Sequence, residues 1–523
     1  MTDREELCTG LVTPAPGQRG PGQDEGTLTS LLLPEAPLRD QSRMPVMADA
    51  AESVIAEAEE VVRLAAAREG ARQRRQARRA EAQRQRQEKR DRKAAELRER
   101  DRAGERRLRE AADEARKAML ERAAELRGAA GGSALDCFAG VADPRDPRGR
   151  RHSLPCVLAL VLSAMLHGKT TLAGITAWIA HAGQETLAAA GARAGRDGRL
   201  QAPSPKTVTR LLGLLGAQAL ADAVARYLAA AIPAQPPACP VAGPVLQPSL
   251  HCDGKEVRGA ARPDGTSLFL LSAATGGIVI AEREIPAKTN EIPEIGPMLR
   301  ELNARFPLAG WVISADALHA QRALAALACE ELSAHYVLTV KGNQAGLHAA
   351  LQGLCWAGAA RHVTTGKGHG RRETRRHLVM DAPDEVKALF PHAAQVAKVI
   401  RTRTVTTSKH DGKKRARVTQ TTTETVYVIT SLTAREAAPE HIAAYIRSHW
   451  SIENQVHLVR DVTLREDSLK VRAGSRPRAL VTVRNLATGL IRQSGRDDIA
   501  ATIRDAEYDN TLLLALLRLT PSL

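Results

Sequence analysis

The segment SLHCDGKEV, residues 249–257, places an aspartate directly after a short apolar run. The run predicts a strand, so Asp253 falls where a buried strand ends. A second aspartate, Asp316, ends the strand predicted in GWVISADAL, residues 310–318. One carboxylate in such a place is ordinarily a turn or cap residue, and Asp316 could cap the following helix. Two on neighbouring strands also favour a metal site, because Mg²⁺ prefers hard oxygen ligands.

The surrounding sequence predicts an α/β fold. The apolar stretches at 267–275 and 276–285 indicate two paired strands joined by a tight turn. Helix, strand, helix and strand patterns follow at 291–306, 310–318, 319–332 and 335–343. We therefore expect a mixed sheet flanked by helices. The Thr- and Val-rich basic stretches from about 345 to 435 predict a β-rich insertion.

A third carboxylate is offered by RSHWSIENQVHLVRD, residues 447–461, in which His449, Glu453 and His457 are four residues apart. On a helix this spacing puts all three on one face. Zinc bound by the two histidines would make the chain a zinc-dependent hydrolase, although the spacing differs from the HExxH pattern. Alternatively, Glu453 joins the two aspartates around magnesium. Glu466 and Asp467 are further candidates for the third acid.

An ordered set of motifs resembles one bacterial family. The motifs are DGKEVRGA, KTNEIP, ADALHAQ, YVLTVKGNQ, HGRRETR, IRSHWSIEN, DVTLRED and VRNLA. Together they resemble the DDE-type insertion-sequence transposases, in the ISAs-type branch of H-repeat-associated proteins. The resemblance implies a ribonuclease-H-like fold with a β insertion before the last catalytic helix. It also implies that Asp253, Asp316 and Glu453 are the catalytic and metal-binding acids.

The same resemblance implies a reaction and partners. Such an enzyme cleaves the ends of its element and joins the 3′-OH to target DNA, using two Mg²⁺ ions for which Mn²⁺ can substitute. The expected partners are double-stranded DNA, as terminal inverted repeats and target, and a second copy in a homodimer. The chain departs from the family pattern at His449, Leu458 and Arg460. A catalytically inactive or repurposed DNA-binding relative is the alternative.

Seven residues near the expected site are candidate DNA contacts: Lys255, Lys341, Asn343, Arg447, His449, Trp450 and Arg460. Lysine and arginine would bind phosphates. Trp450 could stack on an unpaired base, but we favour a core anchor, that is, a side chain buried in the hydrophobic core. Lys341 and Asn343 could equally shape a turn.

Composition favours a polyanionic partner. The 523 residues carry a formal net charge of +16, and cations gain affinity for nucleic acid by releasing counterions. The seven cysteines show no C-x-x-C pair, which is typical of reduced thiols in a cytosolic protein. We expect a bacterial cytoplasmic, nucleoid-associated protein. The apolar run at 154–168 is too short for a comfortable membrane span and predicts a buried helix.

Composition shifts divide the chain. We expect a disordered stretch at 1–50, a charged helical arm at 51–130 and a small helical domain at 133–231. A Pro-rich linker at 232–249, the catalytic domain at 250–495 and a helical tail at 496–523 follow. The arm is either a solvated helix or a basic arm lying on DNA phosphates.

Overall fold

The computed structural model describes residues 47–129, 132–232, 246–260, 267–285, 291–368, 370–411 and 414–519. The expected disorder before residue 47 and the central part of the expected linker, 233–245, lie outside these ranges. Contacts along the chain separate two compact units, 1–105 and 106–523.

Strong helix formers produce one long first helix, and the remaining helices are much shorter. In the described residues they are α1 (Met47–Ala129), α2 (Ala134–Ala139), α3 (Leu154–Leu166), α4 (Leu172–Ala180), α5 (Gln184–Ala189), α6 (Pro205–Leu214), α7 (Ala217–Ala230), α8 (Ile292–Arg305), α9 (Arg322–Ala326), α10 (Ala345–Gly353), α11 (Asp384–Leu389), α12 (Pro439–Ser451), α13 (Arg476–Gln493), α14 (Ile499–Tyr508) and α15 (Asn510–Leu516).

The apolar run at 154–168 forms α3, and nearly all of its side chains are buried. Ser153 caps its N-terminus by accepting from the Cys156 N–H. Gly168, with φ of +74°, follows the end of the helix in the left-handed region that glycine adopts without strain. Helix α3 packs with α2, α4, α7, α13, α14 and α15 in one apolar core.

A single nine-stranded sheet forms the second core. Its strands are β1 (Ser249–Val257), β2 (Leu268–Thr275), β3 (Ile278–Ile285), β4 (Val312–Ala315), β5 (His335–Val340), β6 (Ala360–Gly368), β7 (Arg371–Asp381), β8 (Gln395–Asp411) and β9 (Lys414–Thr430). The order is β3-β2-β1-β4-β5-β9-β8-β7-β6.

The first five strands have the ribonuclease-H-like arrangement, which confirms the expected fold class. Strands β1, β2 and β3 are antiparallel, whereas β4 and β5 run parallel to β1. Helices α8 and α9 connect the parallel strands. Buried aliphatic residues fill the sheet from both faces.

Strands β6–β9 extend the same sheet. β9 pairs antiparallel with β5 over four residue pairs, from Val337↔Thr430 to Val340↔Tyr427. The hairpin of β8 and β9 pairs over seventeen positions. After β9 the chain enters α12, so the extension stands between β5 and the helix that carries Glu453.

A buried ion-pair network joins β3 to the helical segments after α12. Arg460 is fully buried, and its guanidinium lies 3.1 Å from Glu282 and 2.6 Å from Glu466. Arg478 also contacts Glu282, and Arg484 lies 3.7 Å from Glu466. Burial alone would raise the pKa of Glu282, but Arg478 and Arg460 lower it to about 2. We call these five residues the closed network.

Membrane-spanning helices were also sought in the described residues. No single helix there is both long and apolar enough to cross a bilayer, while α6 and α7 together reach that length and composition with a bend of 92° between them.

Candidate active site

Asp253 and Asp316 follow adjacent positions on two parallel strands. The register pairs His251 with Ser314 and Cys252 with Ala315, so the two aspartates come next on each strand. Residues at matching positions of parallel neighbours point to the same face of a sheet. The two carboxylates therefore leave the sheet side by side. Asp316 also accepts the Leu318 N–H at 2.9 Å, which makes it the cap of a short 3₁₀ turn.

Glu453 reaches this edge from a widened helix. Helix α12 continues into two π-helical segments, Ile452–His457 and Val459–Thr463. The Leu458 N–H, for example, donates to the Glu453 carbonyl five residues earlier. One ligand atom each from Asp253, Glu453 and His457 lies within 4.8 Å of the others. The Nδ1 of His457 is 3.4 Å from Asp253 and 3.8 Å from Glu453.

The pKa values of Asp253 and Glu453 are shifted in opposite directions. Burial and the negative charges of Glu453 and Asp316 together raise the pKa of Asp253 to about 8. The pKa of Glu453 is lowered, chiefly by the neighbouring His457. Asp253 is thus the protonated partner and Glu453 the ionised one at neutral pH. A cation placed between these oxygens would take over the role of the proton.

A polar chain runs beneath the carboxylates. The Ser314 hydroxyl lies 2.7 Å from Nδ1 of His251 and 3.1 Å from Nδ1 of His449. Burial lowers the pKa of both histidines, that of His251 to about 3, so both rings are neutral. His449 thus contacts the sheet, and it is not among the three residues whose ligand atoms lie within 4.8 Å of one another. This leaves the zinc alternative without its second histidine.

Two family models match the chain. The model described as "Transposase DDE domain" matches residues 251–490, which contain all three acids. The model described as "DDE_Tnp_1-associated" matches residues 135–228. The chain belongs to the DDE transposase family.

Curated relatives agree with this assignment. The H repeat-associated protein YhhI and the protein YbfL, both from Escherichia coli, are each 27% identical over 278 residues, covering 51% of this chain and 70% of theirs. A protein from the dhlA 3′ region of Xanthobacter autotrophicus is 38% identical over 143 residues, which are 26% of this chain and 47% of its own.

One solved structure is similar over much of its length. A piggyBac transposase synaptic complex with hairpin DNA aligns with 74% of this chain and 77% of its own, at 11% identity and a TM-score of 0.34. At so low a score, the fold assignment depends on the sheet topology and the matched family model.

In this DDE transposase two of the expected DNA contacts are already paired within the chain. Lys255 is nearly buried and lies 2.7 Å from Asp461 and 3.9 Å from Asp467. Arg460 belongs to the closed network and has no exposed surface, so its assignment as a phosphate contact is wrong. The cause is tertiary: Glu282, on a distant strand, neutralises Arg460 in the interior. His449, whose ring faces Ser314, is likewise directed away from solvent.

The other candidates remain at the surface of the transposase. Arg447 and Lys341 are exposed. Asn343 donates to the Ala317 carbonyl and so ties its turn to the loop after Asp316. Trp450 is 50% exposed, which contradicts the expected core anchor. Its ring instead faces Arg401 of β8, at 5.0 Å from the ring centre, and Arg375 of β7 at 5.8 Å.

The structure adds a residue pair that sequence reasoning missed. Glu291 accepts from Nε2 of the fully buried His319 at 3.0 Å. Its carboxylate lies against Gly254, where a Cβ would overlap it. Both residues stand inside motifs that carried the resemblance, KTNEIP and ADALHAQ, so the signal was present. Glu466, the rival third acid, is held in the closed network.

Proposed function

We propose that this DDE transposase cleaves the ends of a bacterial insertion sequence and joins the freed 3′-OH to target DNA. Asp253, Asp316 and Glu453 are its catalytic acids. The observation that carries the proposal is the grouping of Asp253 with Glu453, from a distant part of the chain, beside the end of the parallel strand that Asp316 follows. Phosphoryl transfer needs this kind of site, because anionic phosphodiesters repel nucleophiles until their charge is neutralised.

The donor set suits divalent ions. It consists of carboxylate oxygens, which Mg²⁺ and Mn²⁺ prefer. Burial and the neighbouring charges of Glu453 and Asp316 raise the pKa of Asp253, and a bound cation would oppose that shift. Asp253, Asp316 and Glu453 would hold two such ions. When bound, these ions would neutralise phosphate charge and lower the pKa of water.

The chain's own residues position the acids. His457 contacts both Asp253 and Glu453 and so fixes the two carboxylates relative to each other. Ser314 and His449 hold the start of the π-helical segment against β4. Exposed Arg447 and Lys341 would bind DNA phosphates next to the acids. We further propose a homodimer that pairs two element ends, as the family resemblance implies.

Strand cleavage tests the proposal directly. Purified protein is incubated with Mg²⁺ and a DNA fragment carrying the sequences that border its coding region. Asp253→Asn, Asp316→Asn and Glu453→Gln should each lower the cleavage rate by about 10²–10³-fold or more, because each removes a carboxylate that would hold the divalent ions stabilising the transition state. Glu330→Gln, an exposed acid paired with His392, is the matched control.

The outcomes separate the candidate functions. Cleavage by all three variants at the rate of the control would refute the proposed site. Binding of the fragment without cleavage by the wild type, in Mg²⁺ and in Mn²⁺, would instead identify a repurposed DNA-binding relative.

A further inference from the structure

Helix α1 carries a run of cations that the site does not use. Between Arg72 and Arg90 there are nine lysine or arginine residues and two acids, Glu81 and Glu88. All of these side chains are exposed. The run lies outside both family-matched ranges, 135–228 and 251–490. A known transposase domain therefore does not account for it.

The cations lie on one side of the helix. Placed at about 100° per residue, every cation from Arg72 to Arg90 except Arg84 falls within an arc of about 160°. Glu81 and Glu88 fall outside that arc. We call these eight cations the basic stripe. A helix that is merely solvated needs no such sorting of charge, whereas a helix that binds an extended polyanion does.

The next part of α1 has a different pattern. From residue 91 onward, acids and cations alternate around the helix. Arg92 pairs with Glu96 at 3.1 Å, Lys117 with Glu121 at 3.9 Å and Arg122 with Glu125 at 2.9 Å. Across the residues that the structure describes, no cation of the basic stripe forms an ion pair. Arg74 donates only to the neutral Gly70 carbonyl.

We propose that the basic stripe binds the phosphate backbone of double-stranded DNA, as a contact separate from the DDE domain. The stripe extends for about 27 Å at 1.5 Å per residue. Duplex DNA presents about one negative charge per 1.7 Å of its axis, so the stripe faces an excess of phosphates over its whole length. The choice of DNA over RNA rests on the proposed function. The sorting of charge along the helix is an observation independent of that function.

The salt dependence of DNA binding tests the stripe. The full chain is titrated into a fluorescently labelled duplex of arbitrary sequence, without element ends and in EDTA, so that neither cleavage nor end recognition contributes. Arg74, Arg75, Arg78 and Arg79 are changed together to Gln. The slope of log affinity against log salt should fall by about 3–4, because each lost phosphate contact removes about 0.9.

Two companion variants identify the cause. Changing Arg98, Arg102, Arg106 and Arg109 together to Gln removes the same charge from the mixed part of α1 and should change the slope by less than about 1. Lysine at the four stripe positions keeps the charge and should retain the slope. Circular dichroism should show the same helicity in every variant.

Several results would overturn the inference. Equal slopes for the two glutamine variants would mean that only total charge matters. If the glutamine variant of the stripe loses binding to an RNA duplex of the same length but binds DNA as the wild type does, the stripe binds RNA instead. Neither result depends on strand cleavage, so a failed cleavage assay would leave this measurement intact.

Discussion

Two clusters of charged residues lie on the catalytic sheet, and they are built in opposite ways. In the closed network every carboxylate faces arginine, and the pKa of Glu282 is lowered to about 2. At the candidate active site carboxylates face one another, and the pKa of Asp253 is raised to about 8. Lys255, the nearest cation along the chain, is paired with Asp461 instead.

The difference indicates that the closed network stabilises the fold, whereas the candidate active site can bind a cation. Buried ions that satisfy each other hold elements together and have nothing left to offer a ligand. Carboxylates that repel each other raise the free energy of the folded chain until a cation arrives. The closed network thus anchors the end of the π-helical segment, while the acids at its other end remain available.

The largest effect should come from breaking the closed network. Arg460→Met leaves Glu282 and Glu466 buried with fewer partners, and should lower the free energy of unfolding by about 3–5 kcal/mol. Chemical denaturation measures this loss. Arg92→Met, at an exposed ion pair, is the control and should change stability by less than about 1 kcal/mol. A small loss for Arg460→Met would mean that the network is not structural.

The active-site acids should make stability depend on pH. The folded pKa of Asp253 is about 8, above the unfolded value of about 3.9, so its contribution is complete below pH 4 and lost as pH rises to 8. Without divalent ions, the wild type should lose on the order of 2–4 kcal/mol across this range. Asp253→Asn should lose much less. Thermal unfolding at pH 5 and pH 8.5 measures both.

Magnesium sharpens the same comparison. Added Mg²⁺ should restore the stability of the wild type at pH 8.5 and leave Asp253→Asn nearly unchanged, because ligands that bind only the folded state stabilise it. An equal Mg²⁺ effect in both proteins would argue against binding by these acids.

A smaller loss of stability is expected from a substitution at Gly259, just after the end of β1. A Cβ at Gly259 would lie 2.5 Å from the Leu469 carbonyl oxygen and 2.7 Å from that of Glu466. Gly259→Ala should therefore cost about 1–3 kcal/mol, because backbone atoms must move. Gly358→Ala, with open space around its Cβ, is the control for urea unfolding. Equal midpoints for the two variants would show that the 466–469 loop yields easily.

The smallest change in stability should follow from Trp450→Ala. The ring is half exposed, and its contacts with Arg375 and Arg401 are worth about 1 kcal/mol or less. The variant should nevertheless weaken binding to single-stranded DNA, because it removes a half-exposed aromatic ring on which an unpaired base would stack. Thermal unfolding and titration with a single-stranded oligonucleotide together separate these effects. A loss above about 3 kcal/mol would restore the core-anchor interpretation.

The sequence was sufficient for the parts that depend on local pattern and motif order. Short apolar runs predicted the strands that carry Asp253 and precede Asp316, although β1 continues past Asp253 to Val257. The order of motifs predicted the ribonuclease-H-like fold. The abundance of strong helix formers also indicated the long helical arm at 51–130. These features follow from residues close together in the chain, where hydrophobic period and turn residues act directly.

The errors concern partners that are distant in the chain. The sequence around Arg460 suggests a surface cation, because Glu282, its partner, is distant in the chain. Trp450 suggests a core residue, but its half-exposed ring faces two arginines of the extension. The regular helix expected from the spacing at 447–461 is replaced from Ile452 onward by π-helical turns, and Glu453 and His457 approach Asp253 without His449. Spacing along the sequence does not reveal such a widened turn.

The continuity of the sheet through β5 and β9 has a mechanical consequence. Because the long β8–β9 hairpin is hydrogen-bonded to β5, it cannot swing as an independent flap without breaking that ladder. A load applied to the hairpin would pass along its strands to β5, whose neighbour β4 leads to Asp316. The hairpin is therefore anchored at its base. A ligand that binds along the hairpin would also apply force to the edge of the sheet at Asp316.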